Sequence, residues 1–171
     1  MYKEFETERL LIKPTLEKDA ELIYELMNTP KFIEYVGDRK INSIEDAVKY
    51  IQTKICIQLN SLGYSSYTLI LKTTGEKIGV CGLYNRDGVD GVDIGFALLP
   101  QYERLGYAYE SAQRVLKAAF EEFNIKEVKA ITSKKNSASQ KLLEKLGLEK
   151  LGITKLPNED DEILLYARKS T

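Results

Sequence analysis

Between residues 92 and 123 the chain changes its period, and that change limits the fold more than any other feature. Val92-Asp93-Ile94-Gly95-Phe96-Ala97-Leu98 alternates as a half-buried strand does. Residues 107–123 instead gather Ala108, Ala112, Val115, Leu116, Ala119 and Phe120 on one broad helical face. Only a short turn separates the two patterns. A strand that feeds a helix so directly belongs to a layered fold of sheet and helix.

The flanking segments extend this reading. Residues 66–71, 77–83 and 92–98 form three strands of an antiparallel meander, with turns at Thr74-Gly75 and at Asp87-Gly88 and Asp90-Gly91. Residues 9–13 form a first strand, stopped by Pro14. A helix begins within residues 15–19, carries the stripe Ala20, Leu22, Ile23, Leu26 and Met27, and ends at Pro30. A loop with Gly37 and Asp38 follows. Ser43 then caps a helix, with Asp46 as an acidic variant of the capping box and Ala47, Ile51, Ile55 and Leu59 on one face, up to Gly63. Downstream lie a strand at 128–132, a helix at 137–146 ended by Gly147, and strands at 148–153 and 163–167. The order β α α β β β α β α β β predicts a mixed α/β (α+β) fold. Its expected form is a single, mostly antiparallel central sheet with helices on both faces. The length of 171 residues suits one domain spanning 1–171.

Composition excludes several classes of function. The 25 basic and 26 acidic residues give a net charge of −1, so there is no basic surplus for a nucleic-acid backbone. Histidine is absent, which removes His-dependent triads, His metal sites and the commonest acid–base group at neutral pH. Cys56 and Cys81, the only two cysteines, form neither a metal-ligand spacing nor a disulfide framework, so no metal is expected. The start Met1-Tyr2-Lys3-Glu4-Phe5-Glu6 is too charged for a secretory signal, and no apolar run approaches a membrane span. A cytoplasmic protein without a membrane or nucleic-acid partner is expected, as monomer or homodimer. Catalysis must come from carboxylates, hydroxyls, lysines, thiols or backbone groups.

The turn Leu99-Pro100-Gln101-Tyr102-Glu103-Arg104-Leu105-Gly106-Tyr107-Ala108 carries the first chemical signal. A helix start presents unpaired N–H groups and the positive end of the helix dipole, and so binds an anion without a cationic side chain. Gly106 lets backbone approach an oxygen-rich ligand, and the small Ala108 leaves the first helical turn open. A pyrophosphate fits such a site. An ordinary strand–helix junction reads the same way, so the context decides.

Here the chain resembles the GNAT acyltransferase superfamily. That family's acetyl-CoA turn has the form Gln/Arg-x-x-Gly-x-Gly/Ala, matched by Glu103-Arg104-Leu105-Gly106-Tyr107-Ala108. Two residues depart from the pattern. Glu103 stands where the family usually has Gln, Arg or an aromatic residue, and Arg104 where many relatives have a second glycine. Glu103 is expected to point to solvent and to serve through its N–H. Glu6-Thr7-Glu8-Arg9-Leu10, running on to Lys13-Pro14, resembles the opening strand of the branch containing the ribosomal-protein-alanine N-acetyltransferases. Asn136-Ser137-Ala138-Ser139, with the helix end Leu146-Gly147-Leu148, resembles the branch's Asn-x-x-Ser helix, and Ile78-Gly79-Val80-Cys81-Gly82-Leu83 its third strand.

The resemblance implies transfer of an acetyl group from acetyl-CoA to a primary amine by direct attack. The acceptor would be a protein N-terminal α-amine or a small-molecule amine. A non-catalytic acyl-CoA-binding or sensor module on the same fold is the alternative. Arg104, Leu105, Gly106, Tyr107 and Ala108 are the implied pyrophosphate site. Ile94 through Leu99 line the implied acetyl slot, where a splay between the family's fourth and fifth strands leaves one N–H of Phe96, Ala97 or Leu98 as oxyanion donor. Asn136 is implied to contact the pantetheine arm, and Ser139, one turn further on, to face the thioester sulfur. Many GNAT enzymes carry a thiolate-protonating tyrosine at the position of Leu143, which leucine cannot replace, so Ser139 is the candidate acid. Asp93 is the candidate base, with Glu110 a second nearby carboxylate. A free α-amine is about one in seven neutral at pH 7 and a lysine about one in 2,500, so an α-amine demands less of a base. Phe32, Tyr35, Arg39 and Tyr84 fall in the segments implied to meet the acceptor.

Overall fold

The computed structural model describes residues 2–171. Its centre is an eight-stranded sheet of β1 (Phe5–Glu6), β2 (Leu10–Pro14), β3 (Ser66–Leu71), β4 (Lys77–Tyr84), β5 (Val92–Leu98), β6 (Glu127–Ser133), β7 (Glu149–Thr154) and β8 (Ile163–Lys169). The spatial order is β1-β2-β3-β4-β5-β6-β8-β7. Every neighbouring pair is antiparallel except β5 and β6. That pair is parallel because α5 (Tyr107–Glu121) carries the chain back across the sheet between them. The mixed, mostly antiparallel sheet expected from the sequence is therefore present.

Two apolar clusters cover the two faces. Ala112, Val115, Leu116 and Ala119 of α5, with Leu143 of α6 (Ser137–Lys145), pack on Cys81, Leu83, Ile94, Val128 and Ala130. On the other face Val80 and Ala97 meet α1 (Ala20–Met27) and α3 (Ile44–Tyr50) through Leu22, Ile23, Leu26 and Ala47. Strand alternation thus assigns Ile94, Phe96 and Leu98 to the α5 face, and Asp93, Gly95 and Ala97 to the α1/α3 face.

Several local expectations change. Pro14 does not stop the first strand but ends it from within, paired with Tyr67. Its missing N–H faces the β1 side beyond the two-residue β1, where no donor is required. Pro30 does not merely end a helix. The first helix stops at Met27, and Pro30 occupies the first turn of α2 (Pro30–Tyr35), capped by the Thr29 hydroxyl that accepts from Phe32 N–H. The capped helix after Ser43 runs as α3, passes through a π-helical turn at Ile51–Ile55, and continues as α4 (Cys56–Leu62) to the left-handed Gly63. Its Ser43 hydroxyl accepts from Asp46 N–H at 3.0 Å, but the Asp46 carboxylate turns to Asn42 N–H, one residue upstream of the cap. Gly79 and Gly82 allow close approach of backbone. A Cβ at Gly79 would lie 2.3 Å from Ala97 O, and one at Gly82 2.7 Å from Ser65 O.

One buried charge ties the helical face to the sheet. Asp19 is 1% exposed, pairs with Lys77 at 2.7 Å, and accepts from Leu16 N–H at 3.0 Å and the Thr68 hydroxyl at 3.1 Å. Asp19→Ala removes one acceptor from three donors, at a cost of about 2–3 kcal/mol. The expected drop in Tm is about 4–12 °C by thermal unfolding. An unchanged Tm would show that Lys77 and Thr68 find other partners.

Candidate active site

The pairing of β5 with β6 lasts for two positions, Val92↔Val128 and Asp93↔Lys129. Beyond Asp93 the strands diverge, while β5 stays paired with β4 up to Leu98↔Gly79. Leu99 N–H donates to Ile78 O at 2.9 Å, which fixes the phase of the β4–β5 ladder. By alternation Gly95 and Ala97 turn their N–H groups to β4. Phe96 and Leu98 turn theirs into the gap, where no strand of the described residues meets them. Of the three residues expected to supply an oxyanion donor, Ala97 is thereby removed. Its N–H belongs to the ladder and its methyl to the α1/α3 cluster.

Parallel strands end on the same side of the sheet. The turn that starts α5 and the turn that starts α6 therefore flank the mouth of this gap. On the β5 side Pro100–Tyr102 forms a single 3₁₀ turn, Arg104 adopts φ +63° and Gly106 φ +87°. The first bond inside α5 runs from Glu110 N–H to Gly106 O at 3.0 Å. The N–H groups of Tyr107, Ala108 and Tyr109 have no acceptor within the helix, as at any helix start. On the β6 side the Asn136 amide oxygen accepts from Ser139 N–H at 3.2 Å, and Ser139 is half-buried on the first turn of α6. Leu143, one turn further, is buried in the core.

Glu103 was expected to face solvent. It is paired instead with Lys31 of α2, beside a cavity of about 420 Å³ lined by Pro30, Lys31, Pro100, Glu103 and Arg104. Its charge is met by a cation, which removes the repulsion that a free carboxylate beside a phosphate would create. No motif signalled Lys31, because the contact spans 72 residues.

Asp93 lies at the closed end of the gap on the opposite face from α6. It is fully buried, its Oδ1 accepts from Arg86 Nε at 3.0 Å, and its Oδ2 has no partner among the described residues. Burial lifts the Asp93 carboxyl above its ordinary range, and the Arg86 guanidinium opposes that rise. Tyr84 pairs with Asp93 across the ladder, and its ring lies against Gly95, where a Cβ would come within 3.1 Å. The structure thus joins Tyr84, Arg86 and Asp93. Phe32 packs into the α1/α3 cluster, Tyr35 is half-buried on the same helix, and Arg39 is exposed in the segment beyond it.

Two groups are withdrawn from chemistry. Burial pushes the Cys81 thiol up to about 12, so it offers no thiolate. Glu110 does not reach the gap as a base. It accepts from the Thr7 hydroxyl, from Arg9 N–H at 3.0 Å and from Arg9 Nε at 2.7 Å. Burial works against its charge, yet these donors hold the carboxyl below its ordinary range.

Residues 9–149 match the family model described as an acetyltransferase (GNAT) domain. The uncharacterized N-acetyltransferase YoaA of Bacillus subtilis is 28% identical over 154 residues, covering 90% of this chain and 86% of that protein. An acetyltransferase from Agrobacterium tumefaciens superposes with a TM-score of 0.84 at 23% identity, over 99% of this chain and 96% of that one. The ribosomal-protein-S5-alanine acetyltransferase of Vibrio fischeri gives a TM-score of 0.81 at 18% identity, over 98% and 96%. No helix among the described residues is long and apolar enough to cross a membrane.

The Arg86–Asp93 pair has a pH signature. A carboxyl with a raised folded pKa contributes fully below its unfolded value, and that contribution is lost as pH rises through the folded value. Arg86→Gln removes the opposing cation and raises the folded value further. The gap in stability between parent and variant should therefore be small at pH 4 and wide at pH 8 in urea unfolding. A gap independent of pH would show that Asp93 does not carry the charge.

Proposed function

The chain belongs to the acetyltransferase (GNAT) family, and from that premise we propose that it transfers the acetyl group of acetyl-CoA to a primary amine by direct attack in a ternary complex. One observation carries the proposal. The β5–β6 gap places two unpaired N–H groups, Phe96 and Leu98, between an anion-ready turn and the start of α6. Acetyl-CoA fits this chain. Its diphosphate finds a left-handed glycine and free N–H groups at residues 104–108, and its extended arm finds a slot one strand wide.

Bound acetyl-CoA supplies a thioester that an uncharged amine attacks with release of the thiol. The chain's own groups do the rest. Leu105, Gly106, Tyr107 and Ala108 hold the diphosphate through backbone, with Arg104 exposed beside them. Asn136 fixes the first turn of α6 and so the place of Ser139. Phe96 or Leu98 N–H donates to the carbonyl oxygen as it gains charge. Ser139 gives its hydroxyl proton to the departing thiolate and regains one from solvent. Asp93, whose Oδ2 is unpartnered, takes the proton that the amine sheds, directly or through a water. Phe96 lies three residues from Asp93, about 10 Å along the strand, so a water relay suits the more distant donor.

The acceptor meets the helical face, near Tyr84, Arg86 and the α2 segment with Phe32, Tyr35 and Arg39. An α-amine of a peptide or a small-molecule amine fits a site with one buried carboxylate as base, because about one in seven such groups is already neutral at pH 7. A monomer or homodimer in the cytoplasm completes the proposal.

Thiol release from acetyl-CoA against a panel of peptide and small-molecule amines tests the reading. Turnover is expected with at least one acceptor, whereas tight binding with no turnover on any would favour a non-catalytic acyl-CoA sensor. Gly106→Glu places a side chain at φ +87° and an anion beside the diphosphate site. Its Kd for acetyl-CoA in calorimetry should rise on the order of 100-fold. Ser139→Ala should lower kcat by about 10- to 100-fold with Kd for acetyl-CoA within about twofold. A parental kcat would return Ser139 to a purely local role in the first turn of α6.

A further inference from the structure

Thr7 and Arg9 are the residues of the N-terminal motif whose order no packing rule explains. In the structure both reach across about a hundred positions to one carboxylate, Glu110, on the first turn of α5. Thr7 also accepts from Leu10 N–H at 3.1 Å, so the bend between β1 and β2 is locked around the same group. The Arg9 guanidinium continues past Glu110. Its Nη1 donates to Leu105 O at 2.9 Å, its Cζ lies 4.2 Å from the Tyr107 ring centroid, and its Nη2 sits 3.1 Å from where a Cβ on Gly106 would stand.

The bond to Leu105 O has a directional consequence. A peptide unit is planar and trans, so its C=O and the following N–H point in opposite directions. Holding Leu105 O towards Arg9 turns Gly106 N–H away from Arg9, to the outer side of the turn. Leu105 stands between two residues of positive φ, Arg104 at +63° and Gly106 at +87°, and the peptide it forms with Gly106 ends on a residue that tolerates either sign of φ. Without an anchor, such a peptide can flip and present its carbonyl to the ligand instead. An exposed loop does not select one orientation by itself, whereas a guanidinium fixed on the Glu110 carboxylate does.

We infer that Arg9 is a positioning residue for the diphosphate site, anchored by Glu110 and Thr7. It sets the Leu105–Gly106 peptide so that an N–H, not a carbonyl, faces the phosphate oxygens. The inference rests on the placement of acetyl-CoA proposed above. It adds that the N-terminal segment, far from the turn in sequence, decides how well the turn binds.

Acetyl-pantetheine provides the test, because it carries the thioester but no diphosphate. For the parent protein, kcat/KM should favour acetyl-CoA over acetyl-pantetheine by on the order of 100-fold. Arg9→Ala should lower kcat/KM for acetyl-CoA about tenfold through KM, leave kcat within about twofold, and leave kcat/KM for acetyl-pantetheine unchanged. Arg9→Lys keeps a charge opposite Glu110 but cannot also hold Leu105 O, so it should keep the parental Tm and still lose about fivefold for acetyl-CoA. If Arg9→Ala fails to fold, Arg9→Lys decides the matter. Equal losses for both donors would make Arg9 a merely structural residue and overturn the inference. A parent protein that does not prefer acetyl-CoA would overturn the placement of the diphosphate instead.

Discussion

Two rungs of parallel pairing, Val92↔Val128 and Asp93↔Lys129, set the geometry of everything that follows. A parallel pair is needed because β5 and β6 are joined by a helix and not by a hairpin. Had it continued, Phe96 and Leu98 would spend their N–H groups on β6 and the sheet would have no opening. Because it stops, one strand edge is left unpaired inside the protein rather than at its rim. Unpaired backbone groups are costly unless a partner satisfies them. The open edge is therefore best understood as a binding feature, with the cost offset when an extended ligand takes the place of the missing strand.

A protein without histidine must find polarity elsewhere, and this one draws most of it from backbone. The donor side of the site consists of helix starts, a left-handed glycine and two strand amides. Side chains enter there mainly to hold the backbone still. Asn136 fixes the first turn of α6, Arg9 holds the peptide before α5, and Lys31 neutralises Glu103. The Asp93 carboxyl, buried with Oδ2 unpartnered among the described residues, lies on the other face of the sheet. Ser139 and Asp93 can serve one reaction only through the gap between β5 and β6.

Much of the fold was legible because it is written locally. Alternation gave β5 to the residue, flanking turn residues bounded β3, and Ser43, Gly63 and Gly147 marked helix ends through their own caps. Prolines misled where the outcome depends on a neighbour. Pro14 is tolerated in β2 because β1 is too short to demand its N–H, and Pro30 opens a helix because Thr29 caps it. The site was legible in the same unequal way. The glycine turn and the Asn-x-x-Ser start carry local signatures. The partners Glu110–Arg9, Glu103–Lys31 and Asp93–Arg86 do not, since each is a choice among many surface charges that only the folded chain makes.

The same inequality separates the acetyl donor from the acceptor. In the proposed site the donor is met by backbone amides, whose positions follow from strand order, turn length and glycine, all of which leave traces in a sequence. The proposed acceptor side is bounded by α2, the segment beyond it and the β4–β5 loop. Its contents are side chains such as Tyr35 and Arg39, whose roles depend on what they touch when a second substrate is present. Gly82 and Gly95 pair across the ladder on this face, so the sheet offers bare backbone there and the Tyr84 ring lies over it. In the proposed site, recognition of the amine then falls to Tyr84, Arg86 and the exposed segment beyond α2.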